Sequence, residues 1–137
     1  MTVEANIWLG LEQLVSSFTE SGVDVVMPNT VYHPTATKPY VYVNPVWLAF
    51  NDPGISFKCG TEFRGYLDCA VRVPVEWTYA QHLGLANRFA AAFTVGAKVT
   101  YDSVTTQIHE RPKLIIASYL DGPLNRIDLQ VPFRSWA

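Results

Sequence analysis

The chain has 137 residues, of which 49% are hydrophobic and 16% charged, with a formal net charge of -2. That size suits one domain with a real core, so residues 1–137 are expected to form a single domain. The acidic balance argues against a nucleic-acid grip, which needs Lys and Arg to displace counterions from phosphates, and the low charge leaves surface for contacts with other subunits.

In chain order, Ile7, Leu11, Leu14, Val15 and Phe18 recur at helical spacing. Thr2 is the expected N-cap and Gly22 the expected stop, which predicts a first helix over residues 3 to 21. Pro28, Pro34 and Pro39 punctuate the next stretch before Tyr40-Val41-Tyr42-Val43 restores strand propensity. Residues 44–65 hold Pro45, Pro53, Gly54 and Gly60 around Trp47, Phe50 and Phe57, so they read as a long loop or irregular hairpin.

From Tyr66 to Glu76 the chain alternates, with Leu67, Cys69, Val71, Val73 and Val75 on one face and Asp68, Arg72 and Glu76 on the other. Thr78 and Gln81 form a capping-box pattern, and Leu83, Ala86, Phe89, Ala90 and Phe93 then trace one face of a second helix over 79 to 94. Extended stretches near 98–101, 103–110 and 113–120 lead to the turn signal Asp121-Gly122-Pro123. A last strand carries Ile127, Leu129, Val131 and Phe133 on one face. The expected class is α+β: a mixed, mostly antiparallel sheet of about five or six strands flanked by two α-helices. Pro74 and Pro132 fall inside strand-like runs and are expected at sheet edges, strand ends or bulges.

Chemistry-bearing patterns are weak. Asp68 and Glu76 lie roughly 26 Å apart on an extended strand, too far for a glycosidase pair, and their face reads as solvated and salt-bridged. His33, His82 and His109 lack a second ligand at helical spacing, so no metal is expected. Gly60 and Gly65 have phosphate-loop spacing, but Tyr66 and Leu67 stand where Lys and Ser or Thr are required. No serine lies in a nucleophile-elbow pattern. Cys59 and Cys69 read as reduced thiols, and no apolar stretch reaches membrane-span length, so the expectation is a cytoplasmic protein without cofactor, membrane contact or catalytic residues.

Trp47, Phe50 and Phe57 in the long loop are either interface anchors or lids over the open end of the core. Arg64, Arg111 and Arg134 flank strand ends, where they either pair with a neighbouring subunit or keep a face soluble.

Four stretches carry a family likeness: Lys38-Pro39-Tyr40-Val41-Tyr42-Val43; Gly65-Tyr66-Leu67-Asp68-Cys69-Ala70-Val71-Arg72-Val73-Pro74; the helix from Tyr79 to Phe93; and Gly122-Pro123-Leu124-Asn125-Arg126-Ile127 through Val131-Pro132-Phe133-Arg134. Together with the N-terminal helix, the chain resembles the tail terminator proteins of long-tailed, lambda-like bacteriophages. The resemblance implies a hexameric ring that caps the head-proximal end of the tail tube, stops tube polymerisation and offers a surface for head joining. It implies as partners other copies of the chain, the major tail tube protein and a head-side connector protein, with DNA passing through unheld. Trp47, Phe50, Arg64, Pro74, Arg111, Pro132 and Arg134 are the candidate interface residues. Alternatives are a head-tail connector or tail completion protein and, from another class, a small-molecule binding module or cryptic enzyme with a pocket of Tyr40, Tyr42, Trp47 and Trp77.

Overall fold

The computed structural model describes residues 2–51 and 62–136. Its elements are α1 (Val3–Ser16), β1 (Asp24–Val26), β2 (Tyr40–Asn51), β3 (Glu62–Pro74), α2 (Tyr79–Ala90), β4 (Lys98–Tyr101), β5 (Val104–Ile108), β6 (Lys113–Asp121) and β7 (Leu124–Trp136). The strands make one mixed sheet in the order β1-β2-β3-β7-β5-β4, with β6 also on β7. Among the described residues only the β1–β2 pairing is parallel. The Pro-punctuated residues 27–39 supply the long connection that a parallel pair needs. The fold is α+β, as the element pattern predicts, and the three-residue β1 is the strand that pattern omits.

The long strand β7 is the spine. β3 pairs along its whole length, while the opposite side is shared: β5 takes Thr105↔Trp136 to Ile108↔Phe133, and β6 takes Lys113↔Gln130 to Asp121↔Leu124. Val131 and Pro132 fall between the two partners. A proline, which lacks a ladder donor, fits this local gap in an otherwise central strand. Pro74 is the last residue of β3, so it sits at a strand end. Neither proline marks an edge strand; among the described residues those are β1, β4 and β6, together with β2 beyond its short pairing with β1.

Both helices contribute to the main core, and a second small cluster joins Val26, Tyr40 and Leu124. Ile7, Leu11 and Val15 of α1 and Leu85, Ala86, Phe89 and Phe93 from α2 and its exit pack with Val41, Val43, Leu67, Cys69, Val71, Val73, Ile127, Leu129, Val131 and Phe133. The period-2 alternation of β3 and β7 places these sheet residues on one face, which is why the helices cover that face. Cys69 is a free, buried thiol whose titration burial pushes upward, and Cys59 lies outside the described residues.

Several expected boundaries shift. The first helix ends at Ser16, five residues early. Ser17 caps it, donating its hydroxyl to the Leu14 carbonyl at 2.6 Å, and Phe18 meets Phe89 edge-on at 5.1 Å. Gly22, at φ 82°, serves the turn into β1. The second helix starts as expected: Thr78 and Gln81 exchange both bonds of the capping box. It stops at Ala90, and a turn with Phe93 N–H donating to the Ala90 carbonyl buries the Phe93 ring.

Of the two readings of residues 44–65, a long loop or an irregular hairpin, the described part follows the hairpin, with a register shift between Trp47 and Ala49. Asn44 to Asn51 continue β2, and Glu62 to Gly65 begin β3; Pro53 and Phe57 lie outside the described residues. Pro45 is tolerated because β2 there has a strand on one side only among the described residues. At the other end of β3 the predicted strand is too long. The chain turns after Pro74, with Trp77 N–H on the Pro74 carbonyl, and Val75 is left 54% exposed.

Candidate functional site

The face of the sheet opposite the helices carries the polar and aromatic residues. The register sets Arg72 directly across from Arg126, and Arg64 across from Arg134. Like charges placed so are unfavourable unless something neutralises them. Asp121, from the end of β6, does this for the first pair: its Oδ2 lies 3.2 Å from Arg72 Nε and 3.4 Å from Arg126 Nη1. Those two guanidinium groups hold the Asp121 carboxyl below its ordinary value, Arg72 most strongly. Arg126 Nε also bonds Asp128 Oδ1 at 2.6 Å, and the Tyr119 hydroxyl donates to Asp128 at 3.2 Å. Asp68 on the same face makes no ion pair among the described residues. Burial raises its pKa, followed by the nearby Asp128 charge. The expected salt-bridged face is real at Arg72 but recruits Asp121 rather than Asp68 or Glu76.

Beside this network lies an open cleft of about 520 Å³. Its walls include Tyr32, Tyr40 and Tyr42, with Pro34, Pro123 and Arg72 also lining it. Tyr32 and Tyr40 rings are 4.8 Å apart, and the Arg72 guanidinium stands 5.4 Å from the Tyr40 ring centre. The Tyr32 hydroxyl donates to Asp24 at 2.9 Å, and Lys38 approaches the other Asp24 oxygen at the same distance. Burial and then the Asp24 bond push the Tyr32 phenol up to about 12, so it remains a protonated donor. Lys38 first and Tyr32 second hold Asp24 down.

The cleft joins Tyr40 and Tyr42 as the pocket alternative expects, but not the tryptophans. Trp47 stands edge-on to Phe133 at 5.9 Å, and Trp77 packs against the core on the helix side. Trp47 belongs to a cross-strand row, Trp47↔Gly65↔Phe133↔Ile108. Gly65 makes the row possible: a Cβ there would stand 2.4 Å from the Val46 carbonyl oxygen and 2.9 Å from Phe133 Cζ. Trp47 therefore covers the end of the core while 37% of it stays exposed, and Leu48, at a register shift in β2, is 64% exposed.

The remaining candidate residues are dispersed. Phe50 pairs with Phe63 across β2 and β3. Arg64 bonds Glu62 at 2.8 Å. Arg134 donates twice to the Gln107 side chain, at 3.1 and 3.2 Å, and faces the Trp136 ring. Arg111 is exposed on the β5–β6 connection, beside a hollow that also includes Phe93 and Val95. No group of metal-ligating side chains occurs among the described residues. His82 is buried, donating from Nε2 to the Val71 carbonyl at 2.8 Å; with that tautomer, Nδ1 accepts from the Ser118 hydroxyl at 3.1 Å. Burial lowers its pKa. Sequence reasoning missed Tyr32, Asp121, Arg126 and His82, because each acquires its role from a partner distant along the chain.

No family model matches this chain, and no curated protein matches it. A solved structure of another protein, 13% identical, superposes over 98% of this chain and 94% of its own with a TM-score of 0.71. That likeness is one of fold. No helix among the described residues is long and apolar enough to cross a membrane.

Proposed function

We propose that this chain is a structural subunit of a phage tail: a tail terminator that caps the head-proximal end of the tail tube as a hexameric ring. The family resemblance spans the elements that build the sheet and α2, and the α+β architecture it implies is the architecture described above. One observation carries the reading further. The sheet has apolar residues on two different flanks: Trp47 and Leu48 on β2, and Leu114, Ile115 and Leu120 on β6. A ring built by rotation needs such unlike surfaces, because each copy offers one to the neighbour ahead and another to the neighbour behind. The interface then uses Trp47 and Phe50 on β2, Arg64 on β3, Pro74 at the end of β3, Arg111 on the β5–β6 connection, and Pro132 and Arg134 within β7. Other copies, the tube protein and the head-side connector are the partners, DNA passes through without specific contact, and the protein resides in the virion tail.

Deleting the gene in its parent phage and viewing tails by negative-stain electron microscopy tests the reading. Overlong, headless tubes are expected. Tails of normal length would refute termination and favour a connector or completion role. Arg134→Glu is expected to abolish ring formation on the tube; since Arg134 also bonds Gln107, Arg134→Gln serves as the uncharged control. Intact rings and tails with Arg134→Glu would remove this residue from the interface.

A further inference from the structure

The tyrosine cleft has no part in ring closure as proposed, and what it leaves unpaired is specific. Arg72 uses only Nε on Asp121; its two terminal nitrogens have no hydrogen-bond partner among the described residues, nor do the hydroxyls of Tyr40 and Tyr42. The unmet groups are therefore mostly donors, set among aromatic faces. The pair formed with Asp121 at 3.2 Å cancels much of the Arg72 charge, so a multiply charged anion gains little here. The remaining match is a neutral, acceptor-rich, largely apolar ligand.

The geometry points to a proline-containing extended peptide of a protein partner as the occupant of the Tyr32–Tyr40–Tyr42–Arg72 cleft. A polyproline II segment has its carbonyls free as acceptors, and its prolines offer no N–H in return. Aromatic-walled grooves hold such segments because the helix is already formed before binding and little entropy is lost. Tyr40 and Tyr42 alternate onto the same face of β2; Tyr40 is only 8% exposed, with the Tyr32 ring and the Arg72 guanidinium against it, so the half-buried Tyr32 and Tyr42 present the accessible aromatic wall. Arg72 supplies donors to a carbonyl. Beside it the free Oδ1 of Asp121 suits one N–H or a basic residue flanking the prolines.

The inference does not depend on the ring, and its test uses the full chain in whatever oligomeric state it adopts. The ¹⁵N-labelled protein is titrated with a decaproline peptide ending in arginine, and with a glycine-serine peptide of the same length and ending. Saturable shifts at Tyr40, Tyr42 and the Arg72 Nε–H, half complete below about 1 mM, are expected for the proline peptide alone. Tyr42→Ser is expected to weaken binding at least about tenfold, and Arg72→Met to weaken it with the tyrosine wall kept. Melting curves confirm that both variants fold, and a variant that does not is replaced by Tyr42→Leu or Arg72→Lys. Absence of shifts at 5 mM peptide, equal shifts with the glycine-serine control, or shifts with only maltoheptaose or inorganic phosphate would each overturn the assignment.

Discussion

Gly65→Ala isolates the close packing that lets Trp47 cover the end of the core. The added methyl would stand 2.4 Å from the Val46 carbonyl oxygen, about 1 Å inside ordinary contact, and 2.9 Å from Phe133 Cζ. The first neighbour is backbone and cannot rotate away. Phe133 is fully buried and meets Trp47 edge-on, so it has little room to yield. β2 must retreat, and as a strand bonded on one side here it does so at a finite cost. Overpacking of this kind costs roughly 1–3 kcal/mol, and loss of the Trp47–Phe133 contact adds about 0.5–1.5 kcal/mol. A destabilisation of about 2–4 kcal/mol is expected, which lowers the urea midpoint by about 1–2 M for a domain of this size. Tryptophan fluorescence during urea unfolding measures it, and Trp47 should become more exposed to quencher in the folded state. A midpoint unchanged within about 0.2 M would refute the packing argument.

Three further substitutions test other parts of the structure. Phe89→Ala removes a fully buried ring that touches Phe18 and Phe93, and is expected to cost about 3–5 kcal/mol in the same assay; a loss under about 1 kcal/mol would mean α2 presents a different face. Burial holds the folded-state pKa of His82 below the ordinary histidine value of about 6.5, so the unfolded chain binds the proton more readily. Its contribution is therefore fully present above about pH 6.5 and declines as pH falls below it, and His82→Gln should flatten the stability profile between pH 7 and pH 5. An identical slope in variant and parent would exclude His82 as the source. Arg126→Met leaves the buried Asp128 carboxylate with Tyr119 as its remaining partner and should cost roughly 3 kcal/mol at pH 7, by the same unfolding measurement; a neutral result would show that Asp128 is well solvated.

Local rules were sufficient wherever one residue and its near neighbours decide the outcome. Thr78 and Gln81 define the start of α2 by themselves, because both bonds of the cap lie within one turn. The alternation of Leu67, Cys69, Val71 and Val73, matched by Ile127, Leu129, Val131 and Phe133, already separates a core face from a polar face. Strand β4 falls on residues 98 to 101 as its composition predicts.

Register and pairing lay beyond such rules. Nothing near Pro45 or Pro132 says that one side of its strand lacks a partner among the described residues, so residues 44–51 read as part of a long loop or irregular hairpin, and Pro132 as a sheet edge, strand end or bulge, until the sheet order is known. The predicted helix runs on through residues 17–21, yet the helix ends at Ser16 and Phe18 packs against Phe89, 71 positions away. The candidate site depends on tertiary structure most of all. Tyr32 comes from a proline-rich connection, Tyr40 and Tyr42 from β2, Arg72 from β3 and Asp121 from the end of β6. Sequence supplied each residue with its chemistry; the cleft exists because β3 lies between β2 and β7, and a neighbour relation of that kind is created only when the sheet closes its long-range pairs.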